Sequence, residues 1–171
     1  PNDIAEFQIM LQSTGKWFTD NDGNADFTNN DALKECYDVF KKLNESDFCQ
    51  VVSDWTGFAG AINNGDVACV MRGSWITSTI MGADDQSGKW KMAPVPKMST
   101  DGATHYSNQG GSSWFVLKNS KNADAAAKFL ADTFGGSTEL YDSLMKSNNI
   151  IGTYLPAADI EAVNTESEFF S

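Results

Sequence analysis

Residues 58–75 read FAGAINNGDVACVMRGSW, and this stretch indicates the fold more strongly than any other part of the chain. A helix-like start closes at Asn64-Gly65, an apolar run of strand type follows at Val67–Met71, and Trp75 comes where the next helix should begin. A strand that is apolar on both sides is typical of a sheet buried on both faces. Because ligands of open α/β sheets bind beyond the carboxyl ends of the strands, Trp75 is a candidate platform for a small molecule.

The rest of the chain alternates predicted helices with short apolar runs. Apolar residues at helical spacing predict helices that begin after Asn2-Asp3, after Thr28 or Asn29, near Thr56, at Ser74, after Asn119 or Ser120, near Leu140 and near Pro156. Strand-type runs are Lys16–Thr19, Ala25–Phe27, Val67–Met71, Trp90–Ala93 and Ser113–Leu117. This alternation predicts an α/β fold with a mixed sheet flanked by helices.

The charge of the chain excludes some partners. With a formal net charge of −11, no basic stripe is present to neutralise phosphates, so nucleic acid is not an expected partner. No apolar run approaches the length that spans a membrane. The sequence starts at Pro1 without Met, which indicates a processed or truncated chain whose targeting signals are not visible.

Metal sites are not predicted either. The acidic segment Asp20–Asp26 resembles a calcium loop, but Gly23 stands fourth and position twelve is Asp31, whereas an EF-hand needs Gly sixth and Glu twelfth. A hairpin turn is therefore favoured. The cysteines Cys36, Cys49 and Cys69 have no zinc-type spacing and are interpreted as small buried apolar residues; a Cys36–Cys49 disulfide stays open.

No catalytic constellation emerges from the motifs. Gly110-Gly111-Ser112-Ser113-Trp114 lacks the second glycine of a nucleophile elbow, and the single histidine, His105, lies in a polar loop. No pattern of carboxylates sets up paired acid and base roles, although a pair formed in space stays open. We expect no cofactor and no enzymatic activity.

The remaining signal is aromatic, since the chain has five tryptophans. Trp17, Trp90 and Trp114 lie within strand-type runs and are predicted to be buried. Trp75 follows a strand end, and Trp55 stands at the entry to a helix beside Asp54. A flat ring suits the C–H face of a sugar, but for both residues plain packing stays open as the alternative.

The order of these motifs resembles the carbohydrate-binding proteins of ABC importers, the extracellular solute-binding family that includes maltose-binding protein. The matching motifs are Gly65-Asp66-Val67-Ala68, then Gly73-Ser74-Trp75, then Trp90–Pro96, then Gly110-Gly111 with Ser113–Val116, then the Ala-rich run Asn122–Leu130. The resemblance covers nearly the whole chain.

This resemblance implies a fold and a site. The fold would be a periplasmic-binding-protein-like lobe, with residues 1–109 as its core and residues 110–171 as a crossover strand and helical segment. Trp75 would stack on the sugar, while Gly110, Gly111 and Ser112 would lie beside the cleft. Asn2 is a weaker candidate contact, and Trp55 a speculative one. The family's N-terminal lobe is absent from the sequence, so we expect a fragment.

The function implied is non-catalytic capture of a sugar or oligosaccharide for import. The partners would be the sugar, the membrane permease of the importer and the missing N-terminal lobe of the same protein. The location would be extracellular, periplasmic or at the cell surface, through a lipid anchor on the full-length protein. A secreted carbohydrate-active enzyme or its accessory binding module is the alternative, and a scaffold domain with buried tryptophans is a third.

Overall fold

A computed structural model describes residues 4–170 of the chain. Within these residues the α-helices are α1 (Ala5–Ser13), α2 (Asp31–Asn44), α3 (Trp55–Asn63), α4 (Thr77–Ile80), α5 (Ala123–Asp132), α6 (Thr138–Asn148) and α7 (Glu161–Asn164). Short 3₁₀ helices occupy Ser74–Ile76, Asp84–Gln86 and Leu155–Asp159. Each helix lies close to where the apolar spacing predicts one.

The chain forms two units and passes between them three times. The first unit runs up to Gly73 and includes Lys91–Gly110, while the second contains Ser74–Trp90 and the chain from Gly111 onward. The passages therefore fall at residues 73/74, 90/91 and 110/111.

The first unit has its core between α1 and α2. Phe7, Met10 and Leu11 of α1 pack with Ala32 and Cys36 of α2, and Met98 and Ala103 complete the buried cluster. The loop that carries the last two is fastened by hydrogen bonds: Glu35 accepts from the backbone of residues 99 and 100, and the Thr104 N–H donates to the Ser13 carbonyl at 2.8 Å. Packing and these polar contacts together hold the loop against the helices.

The second unit is centred on α6. Its buried Tyr141 stacks on Tyr154 with ring centroids 6.2 Å apart, and the Tyr141 hydroxyl donates to the Phe134 carbonyl at 2.7 Å. The Ser78 hydroxyl, on α4, donates to the carbonyl of Asn148 at the end of α6. These contacts connect α4, α6 and the segment that follows α6.

The mixed sheet flanked by helices is wrong for this chain, and with it the α/β assignment. The residues that the structure describes contain only two isolated bridges, antiparallel between Thr19 and Ala25 and parallel between Trp90 and Phe170. Val67–Met71 and Ser113–Leu117 form no ladder. An apolar run becomes a strand only when a neighbouring backbone accepts and donates its hydrogen bonds, and no described segment does so here.

Several expectations of burial fail for the same reason. Trp114 is 65 % exposed, and Cys49 and Cys69 are exposed, because the strand-type or loop segments that carry them are not covered. Cys36 is buried on α2 as predicted, and burial raises the pKa of its thiol to about 11. All three thiols are free.

The turn at Asp20 is a minimal hairpin. The backbone N–H groups of Asp22 and Asn24 donate to Asp20 Oδ1 at 3.0 and 2.8 Å, and Gly23 has a φ of +84°. These hydrogen bonds, with that from the Asn24 backbone foremost, lower the pKa of Asp20. The carboxylate therefore organises the turn.

Candidate ligand-binding residues

Trp75 lies where the chain enters the second unit. It is the middle residue of the 3₁₀ helix Ser74–Ile76, which continues directly into α4. Ile76 and Ile80 are buried and anchor this segment, and the Thr77 hydroxyl donates to the Ser74 carbonyl at 2.8 Å. Trp75 itself is half-buried. Its backbone is thus held by neighbours on a short, well-anchored turn of helix.

Gly110, Gly111 and Ser112 lie at another passage between the units. Gly110 is the last residue of the first unit, with a φ of +110°, and Gly111 is the first of the second, with a φ of +98°. Both angles favour glycine, since a Cβ would be strained there. Ser112 follows with an exposed side chain.

A hydrogen bond in the first unit joins the residues that precede two of these passages. The Gly73 N–H donates to Gln109 Oε1 at 3.0 Å. Gly73 immediately precedes Ser74-Trp75, and Gln109 immediately precedes Gly110-Gly111. The two candidate segments thus leave the first unit from positions that are bonded to each other.

Trp55 is the first residue of α3 and belongs to the first unit. Asp54 caps the helix by accepting from the Gly57 N–H at 2.8 Å, which fixes where Trp55 stands. Trp55 is 55 % exposed, and its ring centroid lies 5.5 Å from that of Phe58. The structure therefore presents an indole face supported by a second aromatic ring.

Arg72 was not predicted as part of this site. Its guanidinium lies 4.8 Å from the centroid of the Phe58 ring and forms an ion pair with Glu6 of α1. The Arg72 side chain is only 7 % exposed. Because Glu6 is 66 residues away in sequence, no local pattern indicates this pair. Arg72 connects the support of Trp55 to the segment that leads to Trp75.

The six predicted residues are thus distributed over the chain as follows. Trp55 and Gly110 belong to the first unit, and Trp75, Gly111 and Ser112 belong to the second. Gly110, Gly111 and Ser112 are consecutive in sequence. Asn2 lies outside the described residues.

Metal and acid–base chemistry find no support in the described part of the chain. Residues 4–170 contain no group of three or more His, Cys, Asp or Glu side chains placed to hold a metal ion. Exposed His105 has its Nδ1 3.0 Å from the Val95 carbonyl oxygen. Glu35 has its pKa lowered to about 2 by the Thr100 hydroxyl and the Ser99 N–H, and it serves to fasten a loop.

Comparison with known proteins identifies the class. Residues 2–170 match the model of the bacterial extracellular solute-binding protein family, and the chain belongs to that family. Among curated proteins, it is 36 % identical over 169 residues to a lactose-binding protein of Rhizobium radiobacter, a match that covers 99 % of this chain. The chain spans 40 % of the length of that relative. No solved structure is significantly similar to the chain.

In the described residues no helix is both long and apolar enough to cross a membrane.

Proposed function

We propose that this chain is part of the substrate-binding component of an ABC importer that captures a sugar or oligosaccharide. The observation that carries the proposal is the match over nearly the whole chain to a lactose-binding protein, within a family of extracellular solute-binding proteins. A disaccharide is the first ligand to test, because the relative's name specifies one. The protein captures its ligand without converting it.

The ligand contacts in this proposal are Trp75, Gly110, Gly111, Ser112, Trp55 and Asn2. Trp75 and Trp55 offer flat apolar faces on which the C–H face of a pyranose stacks. Ser112 offers an exposed hydroxyl, and the backbone at Gly110 and Gly111 is open to close approach because neither residue has a side chain. Such a set supplies both stacking and hydrogen bonds.

Arg72 has a supporting role in this site. Its guanidinium is paired with Glu6 and packs over Phe58, which in turn lies beside Trp55. Since the side chain is almost fully buried, it positions the aromatic pair rather than contacting the sugar. Its removal would loosen Trp55 and the 72–74 segment together.

The wider assembly is also part of the proposal. The partners are the membrane permease of the importer and an N-terminal lobe of the same polypeptide, and a lipid anchor holds the full-length protein at the cell surface. Residues 1–109 contribute to the second lobe, and residues 110–171 begin with the crossover. The relative is well over twice as long as the match, which supports the presence of further parts.

Isothermal titration of the full-length protein with lactose, maltose and a longer oligosaccharide tests the proposal. Trp75→Ala is expected to weaken the affinity for the bound sugar about 10- to 100-fold, or roughly 1.4–3 kcal/mol, because the stacking surface is lost. Trp75→Phe retains a flat ring and should lose less.

The control is Trp90→Phe, a change to a half-buried tryptophan of the same unit whose indole N–H donates to Gln86. It should leave the affinity unchanged. Equal affinities of the wild type and Trp75→Ala would remove Trp75 from the site. Absence of heat with every sugar would contradict sugar binding itself.

A further inference from the structure

The extended segment Ser113–Leu117 exposes an unusual amount of apolar surface. Phe115 is 84 % exposed, Leu117 77 % and Trp114 65 %. Neighbouring side chains of an extended segment point to opposite sides, so both sides of this one are apolar. Soluble proteins rarely leave such a contiguous apolar patch in water unless it is an interaction site.

The backbone of this segment is also without partners. In the part of the chain that the structure describes, no backbone hydrogen bond involves the amide or carbonyl groups of residues 113–116. An apolar extended segment with a free row of N–H and C=O groups is a template for another extended segment. The side chains and the backbone therefore call for the same kind of neighbour.

Helix α5 shows that the uncovered surface is wider than one segment. It is amphipathic, yet none of its ten residues is buried. Phe129 is 60 % exposed, and with Leu130 and Trp114 it lines an apolar groove of about 350 Å³ between α5 and the extended segment. One occupant lying along residues 113–117 would cover both the groove and the exposed face.

We infer that this occupant is an extended segment of the same polypeptide from outside these 171 residues, paired edge to edge with residues 113–117 and covering α5. This rests on the proposed function, in which the chain is part of a longer solute-binding protein. The relative is well over twice as long as its match to this chain, so its length leaves ample polypeptide to supply the segment. A second copy is disfavoured, because pairing would bring together two chains that each carry a net charge of −11.

Site-specific photocrosslinking in the full-length protein tests the inference. Phe115 is replaced by p-benzoylphenylalanine, a phenylalanine analogue that crosslinks to C–H groups within its reach on irradiation. The expected product is an intramolecular crosslink to a peptide outside the 171 residues, identified by mass spectrometry. The matched control is the same replacement at Phe48, which is 94 % exposed and lies in a loop of the first unit.

Hydrogen exchange supplies the second measurement. The amides of residues 114–116 in the full-length protein should exchange at least 100-fold more slowly than those of an unstructured peptide of the same sequence. Unprotected amides and no crosslink at position 115 would overturn the inference, as would a crosslink to a second copy. Neither measurement uses sugar, so a failed titration with an intact crosslink overturns only the proposed function.

Discussion

Glu35 shows how one carboxylate fastens a loop to a helix. Its oxygens accept from the Ser99 N–H at 2.7 Å, the Thr100 N–H at 2.9 Å and the Thr100 hydroxyl at 2.6 Å. These donors favour the ionised form and lower the pKa of Glu35 from 4.5 to about 2. A lowered pKa in the folded state means that the stabilisation is complete above about pH 4.5 and is lost as the pH falls towards 2.

We therefore expect Glu35→Gln to lower the free energy of unfolding at pH 7 by about 1–2 kcal/mol and to flatten its pH dependence between pH 4.5 and 2. Urea denaturation of both proteins across this range measures the effect. Glu166→Gln, at an exposed position, removes the same charge and is the control. Parallel pH profiles for the wild type and Glu35→Gln would contradict the role of Glu35.

Gly152 is required by its contact with Tyr141. A Cβ at this position would lie 2.3 Å from Cε1 of the Tyr141 ring, which is buried and has little room to move. Gly152→Ala should lower the free energy of unfolding by about 1–3 kcal/mol through overpacking. Thermal denaturation followed by circular dichroism measures this.

The matched change is Gly60→Ala in α3, where an added Cβ meets no atom within 4 Å. Because alanine has the higher helix propensity, we expect this variant to be stabilised by up to about 1 kcal/mol. A Gly152→Ala variant as stable as Gly60→Ala would show that the Tyr141 ring is not confined.

At the scale of elements, α2 depends on a cap that has distant partners. The Asn30 side chain accepts from the Leu33 N–H at 3.0 Å and donates to the Trp17 carbonyl at 2.8 Å. Asn30→Ala should therefore lower the free energy of unfolding by about 2 kcal/mol, measured by urea denaturation. Asn122→Ala is the control, since the Asn122 side chain makes no capping hydrogen bond, and its effect should stay within about 0.5 kcal/mol.

These two caps also show how far helix ends can be predicted. The sequence indicates Thr28 or Asn29 for α2, but the cap is Asn30, because only from that position does one side chain reach both the helix and Trp17. For α5 it indicates Asn119 or Ser120, but Ser120 accepts from the Asn122 N–H and shapes a turn before the helix begins at Ala123. The existence of each helix is a local property, while its first residue depends on distant contacts.

At the scale of the whole molecule, the proposed cleft needs more than these 171 residues. A ligand held between two lobes loses much of its binding energy, and all of the closure, when one lobe is absent. We expect isothermal titration to show at least 100-fold weaker sugar binding by the isolated chain than by the full-length protein. Circular dichroism must first establish that the isolated chain is helical. Equal affinities would show that the missing part contributes no contact.

The candidate site shows the same limit of prediction as the fold. Trp75 and Gly110-Gly111 could be selected from sequence because a helix start and a glycine pair are local patterns. The Arg72–Glu6 ion pair and the hydrogen bond from Gly73 to Gln109 could not, because they join residues 66 and 36 positions apart. The supporting contacts of the site therefore appear only in the folded chain.

The sequence by itself determined the helices, the acidic turn at Asp20, the family and the residues proposed to contact sugar. Each of these follows from local spacing or from motifs in a fixed order. Only the tertiary structure decided that the apolar runs at Val67–Met71 and Ser113–Leu117 form no sheet within this chain. The physical reason is that a helix satisfies its backbone hydrogen bonds within itself, whereas a strand requires a neighbour, and a single sequence does not specify where that neighbour lies.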